Sequence, residues 1–446
     1  MPEPIISVSG LRGIVGSSLT PEIAERYAAA FAATLPKGPV VLSQDGRPSG
    51  PMLSDAIRAA LAAAGRACLD AGIAATPTTG VLVRQFSAAG GIQISASHNP
   101  PEYNGMKLFD RTGRVIPTGP GQEVLDRYRA GSSGEKSSGQ LGESRTIDDS
   151  TTSHLARVAD ICDVERIRSR RFRVLLDSNH GAGSRLGLPL LEELGCSVIA
   201  LGDSPDGQID HPAEPTAVNL ASVLPLVQTH SADIGFCQDP DADRLAVLDE
   251  SGHYLGEEYT LALCVGHVLR QNPGPIVTNC STSRMTQDLA QQYNVPFHQS
   301  KVGEANVVDA MLAHSAVFGG EGNGGPIDPR VGLVRDSFVG MALVLDAMAA
   351  RQLPVGALAY ELPRYAIHKT TAKLAQENIS AALEKLETHF GDATSSRLDG
   401  LRLDWPDRWL LIRASNTEPI VRIIAEAQTR EKAQQICAAA AEVIGS

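Results

Sequence analysis

The chain has 446 residues, of which 43% are hydrophobic and 20% are charged. These are globular values that suit about three domains by length, and they exclude disorder throughout the chain. The formal net charge of −12 argues against general nucleic-acid binding, and no apolar run reaches the roughly 18 residues a membrane span needs.

The N-terminal MPEPIISVSGLRG has neither a basic start nor a long apolar stretch, so no secretory leader is expected. Thr20 and Pro21 fit an N-cap and a first helical position, and Ile23, Tyr27, Ala30 and Phe31 follow on one apolar face. An apolar strand that runs into a polar turn and then a helix occurs three times. The first instance is PVVLSQDGRPSG with MLSDAIRAALAAAG. The second is FRVLLDSNHGAG with SRLGLPLLEELG and CSVIALG, and the third is PIVTNCSTS with RMTQDLAQQYN. Such alternation predicts mixed or parallel sheets covered by helices, with chemistry at the carboxyl ends of strands. Gly181 and Gly183 read as a tight strand–helix turn, because their spacing to Gly187 does not fit a dinucleotide fingerprint. Asp336 is expected to cap a helix with Phe338, Met341, Ala342 and Leu345 on its inner side.

The apolar-poor segment 131–150 reads as a loop or a first boundary. SGHYLGEE and LPRYAIHKTT mark two more. The expected division is 1–148, 149–250, 251–364 and 365–446. The first three units are α/β. The last is a smaller α+β unit with helix ISAALEKLETHF, strands WLLIRA and PIVRIIAEA, and a final helix REKAQQICAAAAEVI. The seven cysteines are scattered, with no C-x-x-C, and read as reduced thiols in a cytoplasmic protein.

Asp239, Asp241 and Asp243 alternate around Pro240 and Ala242 after the apolar strand ADIGFC. A turn there brings three carboxylates together, an arrangement that repels itself without a hard divalent cation; the alternative is an exposed acidic turn. An EF-hand is rejected, because Arg244 stands where that loop needs glycine and LAVLD continues as a strand. In a second motif, a strand from Gly91 ends in Ser95-Ala-Ser97-His98-Asn99-Pro100-Pro101 and continues through Asn104 to Lys107. Taken alone it reads as a Ser/Asn turn, since serine needs a base or a metal to become a nucleophile. Arg413 and Arg422 bracket Ser415-Asn416-Thr417, the groups a phosphate needs, or else a hairpin loop with solvated arginines. The loop from Gly319 to Gly325 carries Glu321 and Asn323, which either meet sugar hydroxyls or belong to a flexible turn.

Taken in chain order, as serine loop, acidic loop, glycine-rich loop and arginine-flanked loop, the four motifs resemble those of the α-D-phosphohexomutase family over essentially the whole chain. The resemblance implies three similar α/β domains and a smaller C-terminal domain around a central cleft. It implies a phosphoserine at Ser97 and magnesium held by Ser97, Asp239, Asp241 and Asp243. Arg12 and Arg244 would contact phosphate near the serine, and His98 and Lys107 would assist proton transfer. Glu321 and Asn323 would bind the sugar, and Arg413, Ser415, Asn416, Thr417 and Arg422 would hold the phosphate that does not react. The implied activity is transfer of phosphate between the 1- and 6-positions of a hexose phosphate through a hexose 1,6-bisphosphate. The sugar would be glucosamine, mannose or glucose, and the enzyme is expected to be a monomer or homodimer that binds no nucleic acid or membrane. The alternatives are a metal-dependent sugar-phosphate phosphatase and a non-catalytic phosphosugar-binding protein. The sugar loop departs from the family's common GEESG or GEQSG: Gly322 removes a side chain, Asn323 replaces serine, and Gly325 stands for a histidine often found there.

Overall fold

The computed structural model describes residues 3–7, 10–131, 141–414 and 420–445. Three sheets share one topology. In the first, strands Val40–Gln44, Cys68–Ile73, Gly90–Ile94 and Tyr103–Asp110 stand in the spatial order fourth, third, first, second. The first strand is parallel to its two neighbours, and the last pair is antiparallel. The same pattern is built by Arg173–Asp177, Ser197–Leu201, Ile234–Gln238 and Leu245–Leu248. It recurs in Ile276–Asn279, Phe297–Ser300, Phe318–Glu321 and Gly325–Ile327. In each unit the turn between the third and fourth strands carries one of the first three motifs. The three loops therefore occupy equivalent places at the carboxyl end of a central parallel strand, where open α/β sheets place ligand sites.

The first sheet is extended to seven strands by Ile5–Ser7 and Gly10–Ile14 at one edge and Ser144–Thr146 at the other. Ser144–Thr146 falls in the segment expected as a loop. Its backbone pairs parallel with Cys68–Ile73, and an edge strand of three exposed residues leaves no apolar pattern to detect.

The helix signals agree with the sequence. Thr20 Oγ1 accepts from the Ile23 amide at the start of Pro21–Thr34, which buries Tyr27, Ala30 and Phe31. Asp336 accepts from the amides of Phe338 and Val339 and caps Ser337–Arg351. That helix differs from expectation, because every residue from Ser337 to Ala349 is buried. A helix apolar all round belongs to an interior. This one packs between the second and third sheets' helices, so those two units share a continuous core.

The C-terminal unit is one antiparallel sheet in the order Ala366–Lys373, Ile420–Ala427, Trp409–Ala414, Leu401–Asp404, Thr394–Ser396, with helices Ile379–His389 and Arg430–Gly445. The sequence showed only two of these strands. Ala366–Lys373 alternates partly buried and exposed residues and lay in an expected boundary. Among the described residues, no helix is long and apolar enough to cross a membrane. All seven cysteines are free thiols.

Candidate active site

Ser97 leaves strand Gly90–Ile94 with φ 49°, a left-handed conformation that costs a non-glycine residue of order 1–3 kcal/mol. Neighbouring contacts hold it there. Ser95 Oγ donates to Asp45 Oδ2 at 2.6 Å and accepts from the Ser97 amide at 2.8 Å. Arg47 donates to the carbonyls of Ser97 (2.7 Å), Asn99 (2.8 Å), Pro100 (2.8 Å) and Tyr103 (2.9 Å), and its Nε reaches Asp45 at 3.1 Å. Ser95 is thus committed to the loop, whereas Ser97 Oγ donates across to Asp239 Oδ2 at 2.8 Å. His98 Nδ1 lies 3.2 Å from Ser97 Oγ.

Asp239, Asp241 and Asp243 are fully buried, with ligand oxygens all within 4.8 Å of one another. The turn is closed by Ala242 at φ 53°, whose amide donates to the Asp239 carbonyl at 2.8 Å. Gly181 lies beneath it: a Cβ there would come within 2.5 Å of Pro240, which is why that strand–helix turn needs glycine. Thr76 Oγ1 donates to Asp241 at 2.6 Å, Lys107 Nζ to Asp241 at 3.1 Å and Asp243 at 2.7 Å, and Arg335 to Asp243 at 2.6 Å.

Burial, compounded by Asp241 and Asp243, pushes Asp239 well above its ordinary range. Burial also opposes ionisation of Asp241 and Asp243. For Asp241, Lys107 and Thr76 outweigh it; for Asp243, Arg335, Lys107 and Arg244 do so, and both carboxyls fall below their usual range. Burial disfavours the Lys107 ammonium, but Asp241 and Asp243 raise it overall, so it stays charged. Asp241 Oδ1 and Asp243 Oδ1 remain buried without a hydrogen-bond partner. Two such oxygens beside Asp239 fit a hard divalent cation with oxygen ligands.

Arg12 donates to Asn99 Oδ1 at 3.3 Å, and Arg244 to Glu214 at 3.3 Å. Burial first, then the charges of Arg244 and Arg12, push the His98 imidazole down to about 3, so it is neutral. Arg335 continues the network away from the aspartates. Its Nη1 donates to Glu321 Oε2 at 2.9 Å, so one guanidinium joins the acidic loop to the third unit's loop.

Beyond Arg335 lies a cavity of about 400 Å³ bordered by Glu258, Glu321, Asn323, Lys369, Arg413 and Arg422. Glu321 also accepts from Asn279 Nδ2 at 2.7 Å and the Gly303 amide at 3.0 Å. Arg413 and Arg422 sit directly opposite each other across antiparallel strands. Like charges in that register are destabilising unless an anion lies between them; here Asp399 offsets one, 2.8 Å from Arg413. Ser415, Asn416 and Thr417 lie outside the described residues.

The structure therefore gathers Arg12, Ser97, His98, Lys107, Asp239, Asp241, Asp243 and Arg244 at one place, and Glu321, Asn323, Arg413 and Arg422 at another. Sequence reasoning missed Asp45, Arg47, Thr76, Glu214, Glu258 and Arg335. Only Asp45 and Arg47 left a trace, as charges inside the first strand–helix turn.

The four-unit fold is that of the phosphohexomutases, which are phosphotransferase-type isomerases. Family models for phosphoglucomutase/phosphomannomutase α/β/α domains I, II and III match residues 5–135, 152–252 and 256–365, and the model of the C-terminal domain matches 372–443. The chain belongs to the phosphoglucomutase/phosphomannomutase family. It is 36% identical over 438 residues to a phosphoglucomutase/phosphomannomutase of Thermococcus kodakarensis, covering 96% of this chain and 95% of that one. A probable phosphoglucosamine mutase of the same organism is 33% identical, with 98% and 97% covered. Among solved structures, a phosphoglucomutase/phosphomannomutase family protein from Burkholderia thailandensis aligns with a TM-score of 0.83 at 26% identity, covering 99% of this chain and 98% of that one. A putative phosphomannomutase from Thermus thermophilus shares the fold, with a TM-score of 0.85 at 23% identity and full coverage of both chains.

Proposed function

We propose that the protein moves phosphate reversibly between the 1- and 6-positions of a hexose phosphate, through a phosphoserine at Ser97 and a hexose 1,6-bisphosphate. The observation that carries this reading is the buried contact of Ser97 Oγ with Asp239, in a site linked through Arg335 to a cavity faced by two arginines.

In the first half-reaction a sugar hydroxyl attacks the Ser97 phosphoryl group. The Oγ–phosphorus bond breaks, a sugar oxygen–phosphorus bond forms, and the hydroxyl proton passes by way of the neutral imidazole of His98 to the departing Ser97 Oγ, which leaves the imidazole neutral again. Negative charge on Ser97 raises the His98 pKa from its low value and makes it a better acceptor. In the return step the bisphosphate has turned over, Ser97 Oγ attacks its other phosphate as the sugar oxygen–phosphorus bond breaks, and His98, 3.2 Å away, takes the serine proton and passes it to the released sugar oxygen. Arg12 and Arg244 donate to the transferring phosphate, and Lys107 adds a fixed positive charge beside the aspartates. Magnesium, bound by Asp239, Asp241, Asp243 and the Ser97 group, would supply Lewis-acid stabilisation of the phosphate oxygens. Arg413 and Arg422, with Ser415, Asn416 and Thr417, hold the phosphate that does not react. That clamp must accept either end of the sugar, which suits charge-assisted contacts to phosphate alone.

The test is phosphorus NMR of the purified protein with magnesium and a trace of bisphosphate, against 1- and 6-phosphates of glucose, mannose, glucosamine and N-acetylglucosamine. Interconversion without inorganic phosphate is expected for at least one sugar. Inorganic phosphate as the sole product would make the protein a phosphatase.

A further inference from the structure

Gly322 lies in the loop between the two cavity-lining residues Glu321 and Asn323, and a side chain there has no room. A Cβ built on it would come within 1.9 Å of Glu258 Oε2 and 2.2 Å of Oε1. Those oxygens belong to a different element, helix Glu257–Gln271. The loop backbone is fixed beside them by the Gly322 amide, which donates to Thr282 Oγ1 at 3.0 Å. The absence of a side chain at 322 thus lets the Glu258 carboxylate stand on the cavity wall.

Two carboxylates face this cavity, and they differ in what remains to them. Both oxygens of Glu321 are occupied within the protein, by Asn279 and Gly303 on one and Arg335 on the other. For Glu258, the hydrogen bond described is a single one, from the Ser283 amide at 2.9 Å. Lys369, the cavity's own ammonium, pairs with Glu257 at 3.6 Å. Burial, with Glu426 and Glu257 nearby, raises the Glu258 pKa well above the ordinary value, although the Ser283 amide and the Lys369 ammonium pull it down. A carboxylate held in that way gains most from a ligand that brings its own positive charge.

Resting on the mutase reading of the same cavity, we propose that Glu258 is the residue that selects the sugar: its carboxylate, standing where a side chain at 322 would be, favours a hexose phosphate that carries an ammonium group over one that carries a hydroxyl or an acetamide. The arginines opposite bind phosphate and are indifferent to that substituent. Glu258 therefore supplies discrimination, and Arg413 and Arg422 supply general affinity.

The test uses the full-length protein and its Glu258→Gln variant. Glutamine keeps an oxygen for the Ser283 amide but loses the charge. Mutase kcat/KM is measured for the phosphates of glucosamine, glucose, mannose and N-acetylglucosamine, and calorimetry gives the binding of each 6-phosphate. Thermal unfolding checks that the variant is folded. Wild type is expected to prefer glucosamine phosphate. A hydrogen bond between charged groups predicts that Glu258→Gln lowers that preference by roughly ten- to a hundredfold, with the uncharged sugars changed by less than about threefold. An equal loss for all sugars, or a wild type that prefers glucose or mannose phosphate, overturns the proposal. If no sugar is isomerised, the mutase reading fails separately. Calorimetry then decides this one: an ammonium preference abolished by Glu258→Gln sustains it, and equal binding of all four 6-phosphates refutes it.

Discussion

Ser97 Oγ donates to Asp239 Oδ2 at 2.8 Å although the two residues are 142 positions apart. The contact spans two sheets, and it is reinforced by the Thr76 amide, which donates to the Asp241 carbonyl at 2.9 Å. On the proposed function, a serine and an acidic turn that meet this way would form one reacting unit, so changing either should disable both.

Magnesium binding should therefore depend on Asp241, whose Oδ1 is buried and unpartnered. Asp241→Asn is expected to weaken magnesium binding measured by calorimetry and to abolish activity at ordinary magnesium concentrations. Chelator should silence the wild type. Full activity in excess chelator would show that the aspartates serve another purpose.

The two neighbouring serines should separate cleanly. Ser97→Ala is expected to lose phosphate incorporation from a hexose 1,6-bisphosphate, seen by peptide mass spectrometry, and with it the hydroxyl donor to buried Asp239. Ser95→Ala instead removes the hydroxyl donor to buried Asp45. It should destabilise the fold by about 1–3 kcal/mol in denaturant unfolding. Phosphate found on Ser95 contradicts this assignment.

Arg47 should act as the positioning residue of the serine loop. Arg47→Ala leaves Asp45 buried without its ion pair and takes the guanidinium donors from four carbonyls, a loss of about 3–5 kcal/mol. Arg47→Lys keeps the charge but not the fork of donors, so it should restore stability better than kcat. Equal recovery of both would reduce Arg47 to a purely structural role.

At the other end of the cleft, Arg422→Ala removes one of two opposed guanidiniums. A charge-assisted hydrogen bond of about 1.5–3 kcal/mol predicts a ten- to hundredfold fall in kcat/KM on a hexose 1-phosphate. Magnesium affinity should be unchanged, because the aspartates lie on another sheet. Unaltered kinetics would return these arginines to ordinary solvated strand positions.

Stability should carry a pH signature from His211. Burial alone would lower its pKa, but Asp177, 2.8 Å away, outweighs burial and raises it above 6.5. The folded state then binds more protons than the unfolded state in this window. The contribution is fully present below about pH 6.5 and is lost as pH rises through the raised folded value. The stability gap between wild type and His211→Gln should narrow from pH 6 to pH 8 in urea unfolding. A constant gap would mean that the pair is not ionised.

Legibility in the sequence followed from locality. Each of the first three motifs is a short turn after a buried strand, so strand, turn chemistry and acidic or glycine-rich spacing were all visible within a dozen or so residues. The three repeats and the smaller last unit were readable for the same reason. Tertiary structure alone decided which single residues complete the site. Thr76 reaches Asp241 across 165 positions and Arg335 reaches Asp243 across 92. Neither carries a local pattern, because their partners come from other sheets. Nor could spacing show that the three loops join equivalent strands, since that depends on sheet order. Gly322 is the sharpest case. In the sequence it is a missing side chain, and only packing shows that the vacated space holds the carboxylate of Glu258. Local turn chemistry specifies which groups a loop can offer, whereas close packing between distant elements decides which of them are spent within the protein and which are left for a ligand.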